Sequence, residues 1–268
     1  IPKLIKLSII TILFFFGHSI ASADIATGLV SQWKFDETSG TTAADSVGAN
    51  NGTVKNGAAF TAGKIGNGLS FNGTNNYINF NTDLGATGEI TVSAWVNPAK
   101  SPDGIGRLIA STYDWDANAT LARGWYLGID YGSTDLMQFK IYDSSGGWGL
   151  AQSSGFFNSN LNKWTHVVGV YNPSTYVKLF VNGVLVASNT SSAPSAIANK
   201  SGTNFRIGAR ADQATQGLWN GLIDEVRVYN RALSSSDVAE LYNYTGGSGG
   251  GSSSVAQQQA TTVSTNIA

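Results

Sequence analysis

The chain has 268 residues, a formal net charge of −1 and only 12% charged residues, which argues against the clustered basic surface of a nucleic-acid-binding protein. It contains no cysteine, which excludes disulfides and thiolate metal sites. Its 32 glycines and 11% aromatic residues are typical of one large β domain built from short strands and turns.

The first segment, residues 1–23, has the pattern of a secretory signal peptide. Two lysines precede the apolar run Leu7–Phe16, and Ala21–Ala23 matches the small-residue cleavage pattern. That run is shorter than the about 20 residues of a membrane-spanning helix, although an uncleaved anchor is the alternative. We therefore expect a mature chain from Asp24 that is secreted, at the cell surface or extracellular, and bacterial rather than animal because it has no cysteine.

Alternating apolar residues predict about a dozen short strands and almost no helix in the next part of the chain. The predicted strands are Gly28–Glu37, Thr53–Phe60, Tyr77–Phe80, Thr91–Val96, Arg107–Tyr113, Gly124–Asp130, Leu136–Tyr142, Trp164–Tyr171, Tyr176–Val186 and Asn204–Arg210. Segments 114–123 and 143–150 are interpreted as loops. Strands do not alternate with helices, so a parallel α/β sheet is not indicated.

The segment Gly221–Tyr242 predicts a strand followed by a short helix. Asp224 shares a face with apolar residues, so its carboxylate should be buried and should need donors, a cation or a raised pKa. Ser234 and Asp237 have the spacing of an approximate capping box at the helix start. We expect this strand to pair with the first strand and so to close the domain.

Four segments carry a family pattern, in order along the chain: Trp33–Glu37, Gly66–Gly73, Lys163–Val168 and Gly221–Ser234. Together they resemble the laminin G-like modules of the concanavalin A-like lectin/glucanase superfamily. The resemblance implies an all-β fold, a two-sheet antiparallel jelly-roll sandwich with one short C-terminal helix. Such modules often carry calcium and usually bind glycans or proteins.

The resemblance covers residues 28–244, so we assign the module to residues 24–244. Residues 245–268 are rich in Gly and Ser, then in Gln and Thr, and should form a flexible linker or tail. A linker of this kind predicts a further domain downstream.

A calcium site is the first functional hypothesis. If the first and last strands pair, Glu37, Asp45 and Asp224 converge at one edge, where Asn50 could add a carbonyl oxygen. Calcium prefers such hard oxygen ligands, and the resemblance implies a structural ion near Asp45 and Asp224. The alternative is that Asp224 accepts backbone N–H groups and Asp45 forms an Asx-turn.

A glycan platform is the second hypothesis. Trp115 and Trp148 lie in predicted loops, where an aromatic ring can stack on a sugar. Neighbouring polar side chains that could fix the hydroxyl groups are Tyr113, Asp116, Arg107, Arg123 and Arg210. The alternative is that both rings fold back onto the sandwich. Other tryptophans lie in strand patterns and are expected in the core: Trp33, Trp95, Trp125 and Trp164.

Catalysis is not indicated. The related glucanases carry a closely spaced E-x-D-x-E motif, and none of the four glutamates lies in one: Glu37, Glu89, Glu225 and Glu240. Glycosidases need two carboxyl groups across the bond, and His166 lies in a strand where a structural role is expected. We expect a non-catalytic, calcium-stabilised module that binds carbohydrate or a glycoconjugate. A protein–protein adhesion module is the alternative, and a polysaccharide-active enzyme comes third.

Overall fold

The computed structural model describes residues 24–101, 106–115, 121–129, 132, 135–199 and 202–246. The predicted signal peptide and linker residues 247–268 lie outside the described residues. The described chain folds into two antiparallel sheets of eight strands each, which confirms the predicted jelly-roll sandwich. No helix in this part of the chain has the length and hydropathy needed to cross a membrane.

The strands are short and follow one another in chain order. They are β1 Leu29–Trp33, β2 Thr42–Ala43, β3 Gly52–Lys55, β4 Ala59–Ala62, β5 Asn67–Asn72, β6 Tyr77–Asn79, β7 Ile90–Pro98, β8 Arg107–Ser111, β9 Asp114–Trp115, β10 Ala122–Arg123, β11 Trp125–Ile129, β12 Leu136–Tyr142, β13 Trp148–Ser154, β14 Thr165–Asn172, β15 Tyr176–Val181, β16 Val184–Asn189, β17 Arg206–Ile207 and β18 Asn220–Tyr229. The helices are α1 Phe156–Asn160 and α2 Ser235–Asn243.

Sheet A has the order β16-β15-β14-β7-β18-β5-β4, with β1 also paired to β18, and sheet B has the order β13-β12-β11-β8-β17-β6-β3-β2. Strands β9 and β10 form a separate hairpin. The prediction of one strand over Thr53–Phe60 is wrong, because that segment holds β3 of sheet B and the start of β4 of sheet A. Asn56 and Gly57, with φ of 57° and 81°, turn the chain between the sheets.

Strand β18 closes the sandwich, as predicted. Its first half pairs with β5 and its second half with β1, while β7 runs along its other side. The register shifts between Asp224 and Arg227, where Glu225 has a φ of 49°. At this bulge the strand that pairs with β18 changes from β5 to β1.

The core between the sheets is aromatic. The rings of Trp33 and Phe80 lie 4.7 Å apart, and the ring of Phe205 lies 5.4 Å from Trp33 and 4.8 Å from Phe80. Trp125 extends the cluster at 5.8 Å from Phe205. Each buried aromatic ring removes a large apolar area from water, so this cluster is a principal source of stability.

The outer face of sheet A is covered by α2. Ser234 caps the helix, and the capping box with Asp237 is present as predicted. Val238 and Leu241 pack with Val168, Phe180 and other residues of sheet A in a second apolar cluster. Helix α2 therefore buries the part of the outer face of sheet A formed by β14, β15 and the end of β18.

Beside α2 lies a small cavity lined by Ser93, Trp95, His166, Glu225, Arg227, Leu241 and Tyr244. Ser93 Oγ and His166 Nε2 are 2.8 Å apart, and Trp95 and His166 are in ring contact at 5.1 Å. Burial, reinforced by the positive charge of Arg227, lowers the pKa of His166 to about 3. His166 is therefore a neutral, structural residue, in agreement with the sequence.

Gly169 offers a test of the core packing. A Cβ at this position would overlap the ring of Phe139 on the opposite sheet. We expect Gly169→Ala to lower the free energy of unfolding by about 1–3 kcal/mol through overpacking, measured by urea denaturation. Gly88→Ala is the matched control, because a Cβ there meets no atom within 4 Å. Equal stabilities of the two variants would contradict this packing.

His166 offers a test by pH. Its folded-state pKa is depressed, so its contribution to stability is present above its unfolded pKa of about 6.5 and is lost as the pH falls. His166→Gln should be destabilised near pH 8, and its deficit relative to wild type should shrink by about 1.4 kcal/mol per pH unit between about pH 6 and pH 4. Urea denaturation across this range measures the deficit. A constant deficit would contradict the burial of a neutral His166.

Candidate ligand-binding face

The outer face of sheet B is built by the alternation of its strands. In β12, Met137, Phe139 and Ile141 point into the core, so Gln138, Lys140 and Tyr142 point outward. Sequence analysis did not select these three residues, although the polar parity of a predicted amphipathic strand was a signal that could have found them.

Three tyrosines, named here the tyrosine stack, pack on this face: Tyr113, Tyr126 and Tyr142. The ring of Tyr113 is stacked on Tyr142 at 5.3 Å and 14°, and is tilted at 60° against Tyr126 at 5.3 Å. All three are buried. The tyrosine stack therefore forms a rigid base rather than an exposed contact surface.

Arg210 lies at one end of the tyrosine stack, with its guanidinium carbon 4.9 Å from the ring centre of Tyr113. Two bonds to Asp212, of 2.9 and 2.6 Å, hold it in a fork, and Gln216 accepts a further bond at 2.8 Å. Arg210 is buried. Its role in this geometry is to position the stack.

Trp148 lies at the other end of the tyrosine stack, beside Tyr142. Lys140 Nζ is 4.9 Å from the ring centre of Tyr142 and 4.5 Å from that of Trp148, so the ammonium group links the tyrosine stack to Trp148. Trp148 is 48% exposed, whereas every other tryptophan whose side chain is described is buried or partly buried. The structure therefore presents one indole at the edge of sheet B.

The prediction that Trp148 lies in a loop is wrong. Trp148 begins β13 and pairs with Tyr142 of β12. The connecting turn is closed by Asp143, whose carboxylate accepts N–H groups of Ser145 and Gly147, each at 2.8 Å. Because β13 starts at Trp148, the turn ends at Gly147, three residues before the end of the predicted loop, and the indole is held by a strand.

Hydrogen-bonding side chains lie farther along the same face, where Gln152 is four residues from Trp148 on β13, about 13 Å at about 3.3 Å per residue. Tyr126 donates to Gln138 at 2.9 Å, and Gln138 donates to Gln152 of β13 at 3.0 Å. An exposed ring beside a cation, with an amide farther along the same face, has the composition of a site for an extended polar ligand that contains a ring.

Three of the five predicted ligand-binding residues thus come together through one chain of contacts: Arg210, Tyr113 and Trp148, with Lys140 and Tyr142 between them. Asp116 lies outside the described residues. Trp115 belongs to β9, but its side chain also lies outside the described part. Of the two further arginines considered, Arg107 donates to the carbonyls of Gly73 and Leu218, which is a structural role.

The predicted calcium ligands are distributed differently. Asp224 is fully buried, and its carboxylate accepts N–H groups of Lys64, Ile65 and Glu225 at 2.7–2.9 Å. Desolvation raises the pKa of Asp224 to about 7, against the effect of these donors. Backbone N–H groups, the alternative considered from the sequence, are thus the observed partners of Asp224.

The carboxylate of Asp45 also accepts hydrogen bonds from the backbone. It accepts N–H groups of Gln32 at 3.0 Å, Val47 at 3.1 Å and Asn50 at 3.2 Å. Partial burial opposes its ionisation, but backbone donors outweigh that effect and lower the pKa of Asp45. The side chain of Asn50 donates to Ser31 Oγ at 2.8 Å.

Glu37 is the exception among these residues. Its Oε1 accepts the N–H of Ala44 at 2.7 Å, while its Oε2 is buried and has no hydrogen-bond partner. Within the described ranges, no three acidic, histidine or cysteine side chains form a group that could hold a metal ion. The expected convergence of Glu37, Asp45 and Asp224 is therefore not seen.

Several known proteins are similar to this chain. Human adhesion G-protein coupled receptor D1 is 36% identical over 76 residues, which are 28% of this chain and 9% of the receptor. Domain 4 of AbnA, a GH43 extracellular arabinanase from Geobacillus stearothermophilus, solved in complex with arabinotriose, is 24% identical with a TM-score of 0.56, over 80% of this chain and 98% of that domain.

Two toxin domains share the fold. The binding domain of Paraclostridial Mosquitocidal Protein 1 has a TM-score of 0.63 at 19% identity, over 81% of this chain and 52% of that one. The botulinum neurotoxin serotype G binding domain has a TM-score of 0.59 at 15% identity, over 80% and 50% of the two chains. At these identities the structural matches show the fold alone.

The family model Laminin_G_3, described as concanavalin A-like lectin/glucanases superfamily, matches residues 72–239. That range is more than half of the chain, and it includes the closing strand β18 and most of both sheets. The chain therefore belongs to this laminin G-like family of the concanavalin A-like lectin/glucanase superfamily.

Proposed function

We propose that this laminin G-like domain is a non-catalytic binding module whose ligand is a carbohydrate or glycoconjugate. The observation that carries the proposal is Trp148, an indole half exposed on the outer face of sheet B and held in place by Lys140 and the tyrosine stack. An aromatic ring that is fixed before binding loses little conformational entropy when a sugar stacks on it.

The polar surroundings of Trp148 support a sugar rather than an apolar ligand. Gln152 is exposed on the same face and is held by the buried Gln138, so its amide can meet a hydroxyl group, which needs such a partner to replace water. The arabinotriose complex of AbnA domain 4 belongs to a protein that is only 24% identical, so it supports the ligand class by analogy alone.

Non-catalytic binding is proposed on the distribution of carboxylates. The strands of sheet B, as bounded above, contain neither Asp nor Glu. Glycoside hydrolysis on this face would need two carboxyl groups flanking the bond. We further propose that the module is secreted or displayed at the cell surface, and that its C-terminal linker joins it to another domain.

A protein–protein adhesion module is the second candidate, and strand β16 favours it. This strand forms the edge of sheet A, and Val184, Leu185 and Val186 are 63%, 44% and 41% exposed. An edge strand with consecutive exposed apolar residues can accept a strand from another protein.

A glycan array and isothermal titration with the best hit test the proposed function. Trp148→Ala should weaken binding by about 2 kcal/mol, or about thirtyfold, because the stacking surface is removed. Trp115→Ala, in the same array, tests the second tryptophan predicted from the sequence. The matched control is Tyr242→Ala, which removes an exposed ring on α2, away from sheet B.

The outcomes separate the candidate functions. Glycan hits that survive Trp148→Ala would place the site elsewhere, and an array without hits would contradict carbohydrate binding. A protein ligand lost in Leu185→Lys would support the adhesion module. Release of products from a polysaccharide panel would contradict the non-catalytic proposal.

We also propose that the domain binds calcium, with Glu37 as a ligand. Backbone N–H groups already bind the carboxylates of Asp45 and Asp224. Oε2 of Glu37, in contrast, is buried and has no hydrogen-bond partner, so this oxygen could bind an ion. The four predicted ligands do not form one cage, so any ion would be completed by backbone carbonyls and water.

Calcium binding is tested by thermal unfolding of the full chain. At about a hundredfold excess of calcium over Kd, the stability should rise by about 2.7 kcal/mol, and chelator should reverse the increase. Glu37→Gln should abolish the response, whereas Glu240→Gln on α2 should retain it. Melting curves that are identical with calcium and with chelator would exclude the ion.

A further inference from the structure

The segment that precedes β1 is bound to the closing segment of the sandwich. Arg231, two residues after β18, donates through Nη2 to the carbonyl of Asp24 and through Nε to the carbonyl of Thr27, the latter at 2.7 Å. Tyr229 donates its hydroxyl to the carbonyl of Ile25 at 3.0 Å, and the side chain of Ile25 packs with the apolar cluster beneath α2. Hydrogen bonds that span 204 and 207 residues of sequence therefore fix the position of Asp24.

The backbone nitrogen of Asp24 lies against the carboxylate that takes part in the capping box of α2. It donates to Asp237 Oδ1 at 3.0 Å, a contact between residues 213 positions apart. The other oxygen, Oδ2, accepts the N–H of Ser234 and Nη1 of Arg231, each at 2.9 Å. Asp237 is buried. One carboxylate therefore joins the segment before β1, the connection after β18 and the start of the helix.

Negative charge is in excess around this nitrogen. Asp24, Asp237 and Glu240 carry carboxylates, and Arg231 is the cation that forms an ion pair with Asp237 in the part of the chain that the structure describes. Burial raises the pKa of Glu240, and the negative charges of Asp237 and Asp24 add to the increase. A second positive charge beside Asp237 would therefore stabilise this cluster.

Asp24 is also the residue before which the sequence predicts cleavage. Ala21–Ala23 matches the small-residue pattern that a signal peptidase recognises. The cleavage pattern is a property of the sequence before Asp24, whereas the hydrogen bond to Asp237 belongs to the folded domain. Two independent observations therefore point to the same backbone nitrogen.

We propose that removal of residues 1–23 creates an α-ammonium group on Asp24 that binds the carboxylate of Asp237 and fastens α2 to the start of the mature chain. This inference rests on the proposed secretion of the module and goes beyond its ligand binding. Hydrolysis of the Ala23–Asp24 peptide bond consumes one water molecule and leaves a carboxylate on Ala23 and an ammonium group on Asp24.

The new charge would arise where a partner already waits. The nitrogen of Asp24 lies 3.0 Å from Asp237 Oδ1 before cleavage, so it gains a charge without having to move. An α-amino group has a pKa of about 7.7–8.0 and is mostly charged at pH 7. Charge-assisted hydrogen bonds are roughly twice as strong as neutral ones, so cleavage strengthens a contact that the fold has already formed.

Thermal unfolding of two chains that differ by one residue tests the ion pair. One chain begins at Asp24 and the other at Ala23, both end at Ala268, and each is released from a cleavable fusion that leaves no added residue. The chain from Ala23 keeps a neutral amide at Asp24 and moves the ammonium group away from Asp237. We expect the chain from Asp24 to melt about 3 °C higher at low salt, and we expect the difference to shrink at about 1 M salt.

Asp237→Asn, made in both chains, identifies the partner of the ammonium group. It removes the negative charge, so the difference in melting temperature between the two chains should disappear. Because both chains carry the same substitution, the weaker capping box cancels in this comparison. The matched control is Asp212→Asn, whose carboxylate also forms an ion pair with an arginine, Arg210, and which should keep the difference of about 3 °C.

Mass spectrometry of the chain secreted by a bacterial host identifies its first residue, which should be Asp24. An uncleaved chain or another first residue would overturn the proposed processing. Equal melting temperatures of the chains from Asp24 and Ala23, or a difference that persists in Asp237→Asn, would overturn the ion pair. The glycan array is a separate measurement, so failure of this inference and failure of carbohydrate binding are distinguishable.

Discussion

The closure of the sandwich depends on the buried carboxylate of Asp224, which accepts backbone N–H groups at the bulge of β18. Strand β18 exchanges β5 for β1 at its bulge, and an ordinary ladder would leave backbone N–H groups unpaired there. Asp224 accepts the N–H groups of Lys64, Ile65 and Glu225, so one buried side chain ties the bulge to the segment before β5. The closure needs a hydrogen-bond acceptor at this position, and Asp224 supplies it.

The closing strand also makes the outer faces of the two sheets different. Downstream of the bulge, β18 leads directly into α2, which covers the outer face of sheet A and places Tyr244 with its ring 4.2 Å from Arg227. Among the described residues, no helix covers the outer face of sheet B in this way. That face carries the tyrosine stack and Trp148, and it is the face on which we propose the binding site.

How much of this could be read from the sequence depends on the range of each interaction. The alternation of β18 and the spacing of Ser234 and Asp237 are local, and both predicted what is observed. The donors Lys64 and Ile65 lie 160 and 159 residues from Asp224 in the sequence. The sequence therefore indicated a buried acid but not which N–H groups bind it. Strand β13 was missed because its second half, Gln152–Ser154, is polar and lacks the apolar alternation of a core strand.

The contacts within the candidate site also could not be predicted from the sequence. Tyr113, Trp148 and Arg210 were chosen for chemistry alone, yet they meet only because Lys140 and Tyr142 of β12 bridge them. The bridge follows from the register that places Tyr142 opposite Trp148, and register is set by the whole sheet. Because the indole is supported from below by buried rings and an ammonium group, its orientation is fixed before a ligand arrives. A ring that is fixed before binding loses little conformational entropy when a ligand stacks on it, which is the preorganisation that the proposed binding site requires.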